Sequence, residues 1–155
     1  MRITVAAVGR LGKGTARPEA ALWQSFADRL SWPVSLKEVV AKGKPPPNEL
    51  ARREAEVLRG AIPKEATVVA LDGGGRSLDS RAFAKRLAAW RDGGVRDLAF
   101  LIGGAEGLDR GLISDAELVL SLGAMTWPHL LVRGMLAEQI FRAQSILDGH
   151  PYHRQ

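Results

Sequence analysis

The feature that most constrains this chain is a repeated arrangement: a short, uncharged, apolar run stops at glycine or another small residue, and a segment with helical spacing follows. Residues 3–8 (ITVAAV) end at Gly9, residues 66–71 (ATVVAL) at Asp72-Gly73-Gly74-Gly75, residues 98–102 (LAFLI) at Gly103-Gly104, and residues 118–122 (LVLSL) at Gly123. Runs of this length, rich in β-branched and aliphatic residues, read as buried strands. Residues 34–40 read as a further strand, although Glu38 spoils its pattern.

Between the runs lie the helices. Residues 18–30 open with Pro18 and place Leu22, Phe26 and Leu30 on one face beside Trp23. Asn48 is a good cap for an Arg- and Glu-rich, mostly solvent-facing helix over 49–60. Asp79 or Ser80 caps the next, with Phe83, Leu87 and Trp90 turned inward. Residues 129–148 carry Val132, Met135, Leu136, Ile140 and Ala143 at three-to-four spacing. Strands alternating with helices predict a mostly parallel α/β sheet flanked by helices on both faces.

A chain of 155 residues suits a single domain spanning 1–155. Its 46% hydrophobic and 25% charged content is that of an ordinary globular protein. Cysteine is absent, which removes disulfides and thiolate metal sites, and no metal is expected. No apolar run nears the roughly 20 residues that cross a bilayer, so no membrane is expected and a cytoplasmic location is. Lys and Arg number 22 against 17 Asp and Glu, and the net charge of +5 favours a polyanionic partner.

Ligands of open α/β sheets bind outside the carboxyl ends of the strands, so the glycine-ended tips are the place to seek a cofactor. Gly9-Arg10-Leu11-Gly12-Lys13-Gly14-Thr15 invites a phosphate-loop reading, but two residues rather than four separate its first glycines and Gly14 intrudes between Lys13 and Thr15. Lys42-Gly43-Lys44-Pro45-Pro46-Pro47 is a stiff basic loop that reads either as a phosphate contact or as a solvated linker. Nothing here is a dinucleotide-binding GxGxxG fingerprint.

The order LD…GG, IGGxEGL, SLxxMTxPHxLxR, AEQxxRAxSI and a terminal HPYHR, spread over essentially the whole chain, resembles the SPOUT class of methyltransferases, and within it the small members that act on large-subunit ribosomal RNA. The resemblance implies a C-terminal trefoil knot, a homodimer, S-adenosyl-L-methionine as cofactor, and methylation of N3 of a pseudouridine in 23S ribosomal RNA, within the ribosome. It places the cofactor on Leu71, on Gly103 and Gly104, and on Leu122, Gly123, Ala124, Met125, Thr126 and Trp127. Small residues there let a ligand reach bare backbone, and Leu122, Met125 and Trp127 offer apolar walls. The groups on offer for catalysis are His129, Arg133, Tyr152, His153 and Arg154. A neutral histidine takes the N3 proton and an arginine steadies the charge on the uracil oxygen, with the choice of histidine left open. The chain departs from the family at Gly123, where Ser is common, at Phe141, where Tyr is, and at Ala105, where Pro is. Two alternatives remain: a SPOUT methyltransferase acting on another RNA such as tRNA, or a non-catalytic RNA-binding α/β module.

Overall fold

A computed structural model of the chain describes residues 1–12 and 17–153. Lys13 and Thr15 of the rejected phosphate loop, and the candidate Arg154, lie outside the described residues. The elements run β1 (Arg2–Val8), α1 (Pro18–Ala27), β2 (Val34–Val39), α2 (Pro47–Ala61), β3 (Thr67–Ser77), α3 (Ser80–Asp92), β4 (Asp97–Ile102), α4 (Arg110–Asp115), β5 (Leu118–Ser121) and α5 (His129–Leu147).

The strands form one sheet in the order β2-β1-β4-β3-β5, and every neighbouring pair is parallel. All carboxyl ends therefore lie along one edge. Because successive strand residues face opposite sides, the sheet carries two cores. Val5 and Ala7 face α1, α3 and α5, where Trp23, Leu87, Leu136 and Ile140 pack. Ala6 and Val8 face α2 and α4, where Ala55, Leu58 and Leu112 pack. The expected sheet with helices on both faces is the one found.

Three local differences have physical causes. The helix expected from Asn48 starts at Pro47 with Pro46 at its cap, because prolines fix the φ of a first turn and supply no N–H that needs a partner. The strand expected to stop at Leu71 runs on to Ser77. A bulge between Leu71 and Arg76 lets Arg76 and Ser77 rejoin β5 opposite Leu120 and Ser121. A Cβ at Gly75 would come within 2.7 Å of the Val119 carbonyl, so this glycine serves a close crossing of strands rather than a turn. The six-residue α4 was not expected. Its cap is Asp109, whose side chain accepts from the Gly111 N–H at 2.8 Å. No helix among the described residues is long and apolar enough to cross a membrane.

Candidate functional site

Where β3 bulges after Leu71 and β4 and β5 end on either side of it, the chain encloses a cleft of about 630 Å³. The first wall is Leu71, Asp72 and Gly73; the second is Ile102, Gly103, Gly104, Ala105 and Gly107. The third is the β5–α5 loop, with Leu122, Gly123, Ala124, Met125, Thr126 and Trp127, and the first turn of α5 closes the cleft with His129 and Val132. All the residues expected to hold a cofactor thus meet in one place. Leu71, Ile102, Leu120 and Leu122 give it apolar sides, while Met125 and Trp127 stand at the rim, 73% and 39% exposed.

The glycines of the second wall are set by packing. A Cβ on Gly103 would lie 2.6 Å from the Gly107 carbonyl carbon, and the Gly107 N–H donates to the Gly104 oxygen at 3.1 Å, so the loop closes as a tight turn on itself. In the third wall Gly123 sits at φ +124°, a conformation that a side chain would strain. The Ser121 hydroxyl, which accepts from the Gly123 N–H at 3.2 Å and lies 3.3 Å from the Gly73 oxygen, ties the tips of β5 and β3 together.

His129 is half-buried at the cleft edge, with its Nε2 3.2 Å from where a Gly9 Cβ would be. Burial first, and then the neighbouring charge of Arg133, hold its imidazole below the ordinary value, so it is neutral at pH 7. Arg133 lies one turn further along α5 and has no exposure at all. Its Nη2 donates to the carbonyls of Val8 at 2.5 Å and Gly9 at 3.1 Å, and its Nη1 lies 3.4 Å from Glu38 Oε1. That oxygen also accepts from the Leu11 N–H at 2.6 Å. The guanidinium is therefore spent inside the protein, holding the tip of β1 against His129, and does not line the cleft.

Tyr152 and His153 lie elsewhere. The tail folds back along α5 so that the Tyr152 hydroxyl donates to Glu138 at 3.0 Å, its ring meets Phe141 edge-on with centroids 4.8 Å apart, and His153 Nδ1 is 3.4 Å from Arg142. Glu138 is nine residues beyond His129, about 14 Å along the helix. Within one chain the tail and the cleft stay apart. Burial, then the bond to Glu138, push the Tyr152 hydroxyl pKa up, so it remains protonated and keeps the hydrogen it donates to Glu138.

Two carboxylates near the site were not singled out as functional. Glu38 announced itself by breaking the apolar pattern of β2. Glu54, on the helix read as solvent-facing, sits beneath Gly104, with its oxygens 3.0 and 3.1 Å from the position of a Gly104 Cβ. It is 6% exposed and its Oε2 has no partner. Its sequence signal is the inward stripe it shares with Ala55 and Leu58.

A parallel α/β sheet with a glycine-bounded cleft at its carboxyl edge defines a ligand-binding domain of the open-sheet kind. The family model described as "Predicted SPOUT methyltransferase" matches residues 1–153. A ribosomal RNA large subunit methyltransferase H of Rhodospirillum centenum is 54% identical over 154 residues, covering 99% of each chain. Its namesake in Paracoccus denitrificans is 49% identical over the full length of both. Among solved structures, a probable methylase family protein from Haemophilus influenzae superposes with a TM-score of 0.58 at 10% identity, over 99% of this chain and 70% of that one. The chain belongs to the SPOUT methyltransferase family.

Proposed function

We propose that the protein uses S-adenosyl-L-methionine to methylate large-subunit ribosomal RNA at N3 of a pseudouridine, acting as a homodimer. The observation that carries the reading is the cleft itself: three glycine-bounded strand tips gather around a neutral histidine. The named activity of the relatives at 49–54% identity supports the substrate class.

The residues present fit the cofactor. The volume lies within the usual range for small-molecule sites of about 300–1,000 Å³. Leu71, Ile102, Leu120 and Leu122 supply apolar walls for an adenine, and the Gly103–Gly104 and Gly123 backbones supply uncovered polar groups for its edges and for the amino-acid arm. The cofactor contributes an activated methyl; the chain must align the acceptor and relieve it of a proton. His129, neutral and at the cleft edge, is the group placed to accept the N3 proton. Arg133 acts behind it as a positioning residue, through Gly9.

Homodimerisation answers the separation of tail and cleft. Tyr152 and His153 serve a cleft only if they reach one from a second copy. A second crevice, about 620 Å³ and lined by Leu22, Phe26, Met135 and Glu138 beside the tail, offers an apolar surface for that copy to cover. The C-terminal knot implied by the resemblance is part of the same proposal.

The test is incubation with labelled S-adenosyl-L-methionine and, in parallel, ribosomes lacking the modification, free large-subunit RNA, and tRNA. Label in the ribosomal RNA, at a pseudouridine on digestion, is the expected result. Label only in tRNA would move the substrate, and no label in any RNA would overturn the reading.

A further inference from the structure

The basic proline-rich loop between β2 and α2 has no part in the cleft, yet it stands beside it. The Val8 and Val39 ends of β1 and β2 are paired in register, and the Gly9 N–H donates to the Val39 carbonyl at 2.8 Å. The loops that follow thus leave the sheet together at its carboxyl edge. Each is anchored to the site at one further point. Gly9 abuts the His129 ring, which fixes Arg10 next to the cleft edge. Glu54, two turns into α2, abuts Gly104 and ties that helix to the second wall, and the loop before it follows the carboxyl end of β2.

The loops that leave this edge are basic in sequence. Residues 9–18 and 40–48 contain no Asp or Glu, whereas Arg10, Arg17, Lys42 and Lys44 are all exposed. Elsewhere several surface arginines have a carboxylate beside them: Arg2 has Asp97, Arg59 has Asp115, Arg86 has Glu117 and Arg91 has Asp92. Pro45, Pro46 and Pro47 fix the end of the lysine loop and restrict Lys44 before them, so less conformational freedom is lost there when it takes a ligand. Exposed cations on two loops that leave the sheet at the edge of a cleft make a surface for a chain of phosphates.

Resting on the proposed RNA substrate, we infer that Arg10, Lys42 and Lys44 form a track that binds the phosphates of the RNA strand flanking the base presented to the cleft. The track supplies affinity and register, and the cleft supplies the chemistry. Removing its charges therefore weakens RNA binding without touching cofactor binding or the methyl-transfer step.

The experiment compares the protein with the triple variant Arg10→Gln, Lys42→Gln, Lys44→Gln and with a control, Lys64→Gln, Lys85→Gln, which removes exposed charge from other surfaces. Binding to large ribosomal subunits lacking the modification is measured by co-sedimentation between about 50 and 200 mM salt. The expected result is a salt slope shallower by about one per cation removed, about three in all, with no such change in the control. In methylation assays the half-saturating subunit concentration should rise more than tenfold while kcat and the cofactor affinity hold. An unchanged slope in the triple variant, an equal loss in the control, or an intact protein that binds no subunits would each overturn the track. A protein that binds subunits along the track yet transfers no methyl would instead refute the proposed reaction and leave the track standing.

Discussion

Glu54 is a carboxyl group in a place that disfavours its charge. Burial raises its pKa most; the Gly104 N–H lowers it and Glu106 raises it again, with a net upward shift. A raised carboxyl holds its proton longer in the folded state, so its contribution to stability is complete below the unfolded value of about 4.5 and is lost as pH climbs through the folded one. Glu54→Gln, which stays neutral and can still accept from Gly104, should be more stable than the parent at pH 7, and the difference should vanish below about pH 4. Urea unfolding at both values decides it. Arg133 is buried as well, and burial holds its pKa below the ordinary value, but its charge has partners in two carbonyls and Glu38. Arg133→Met should cost about 3–5 kcal/mol in urea unfolding, because Glu38 and the Val8 and Gly9 carbonyls lose their partner. Gly103→Val should lose cofactor affinity by titration calorimetry and lower the melting temperature as well. The side chain lands on Gly107, so the loop opens before any ligand is obstructed.

At the scale of the element, the tail is the informative piece. Its residues lack an apolar pattern, which argued that the core does not need them, and the structure gives Tyr152 a docking place on Phe141 and Glu138 instead. Deleting residues 152–155 should reduce methyl transfer about a hundredfold or more while leaving cofactor affinity nearly intact, because the cleft is built from other elements. Paired activity and calorimetric assays on the truncated chain check this, and a loss of both would make the tail part of the cofactor site. The same contrast shows what the sequence could reveal. β1 and β4 were legible because a central parallel strand is buried on both faces and reads as an unbroken apolar run. The cleft was legible because its walls are strand ends. The extension of β3 through Gly73, Gly74 and Gly75 was hidden, since glycine there answers to Val119 on another strand, and no local pattern records a distant backbone. Glu38 and Arg133 lie 95 residues apart, and neither residue's spacing announces the other.

At the scale of the whole molecule the open question is what covers the face made by α1 and α5. These helices pack on each other with Leu22 against Gly134, where a Cβ would come within 2.6 Å of the Leu22 side chain, so the seam between them is closed. Beside the seam the second crevice stays open, with Phe26 and Met135 partly exposed next to the Tyr152, Glu138 and Arg142 cluster. An apolar crevice ringed by paired charges suits a self-complementary contact, in which each copy fills the other's crevice. Such a contact would let a tail docked mid-helix reach the cleft of the other copy, which is the arrangement proposed above. The intact protein should therefore be a dimer at micromolar concentration by light scattering. Met135→Glu, which sets a charge in the crevice while leaving the cleft walls untouched, should shift the protein to monomer and depress methyl transfer. Cofactor affinity need not fall with it. A variant that becomes monomeric yet methylates at the parent rate would show that one chain suffices, and the tail would then lose its part in the reaction.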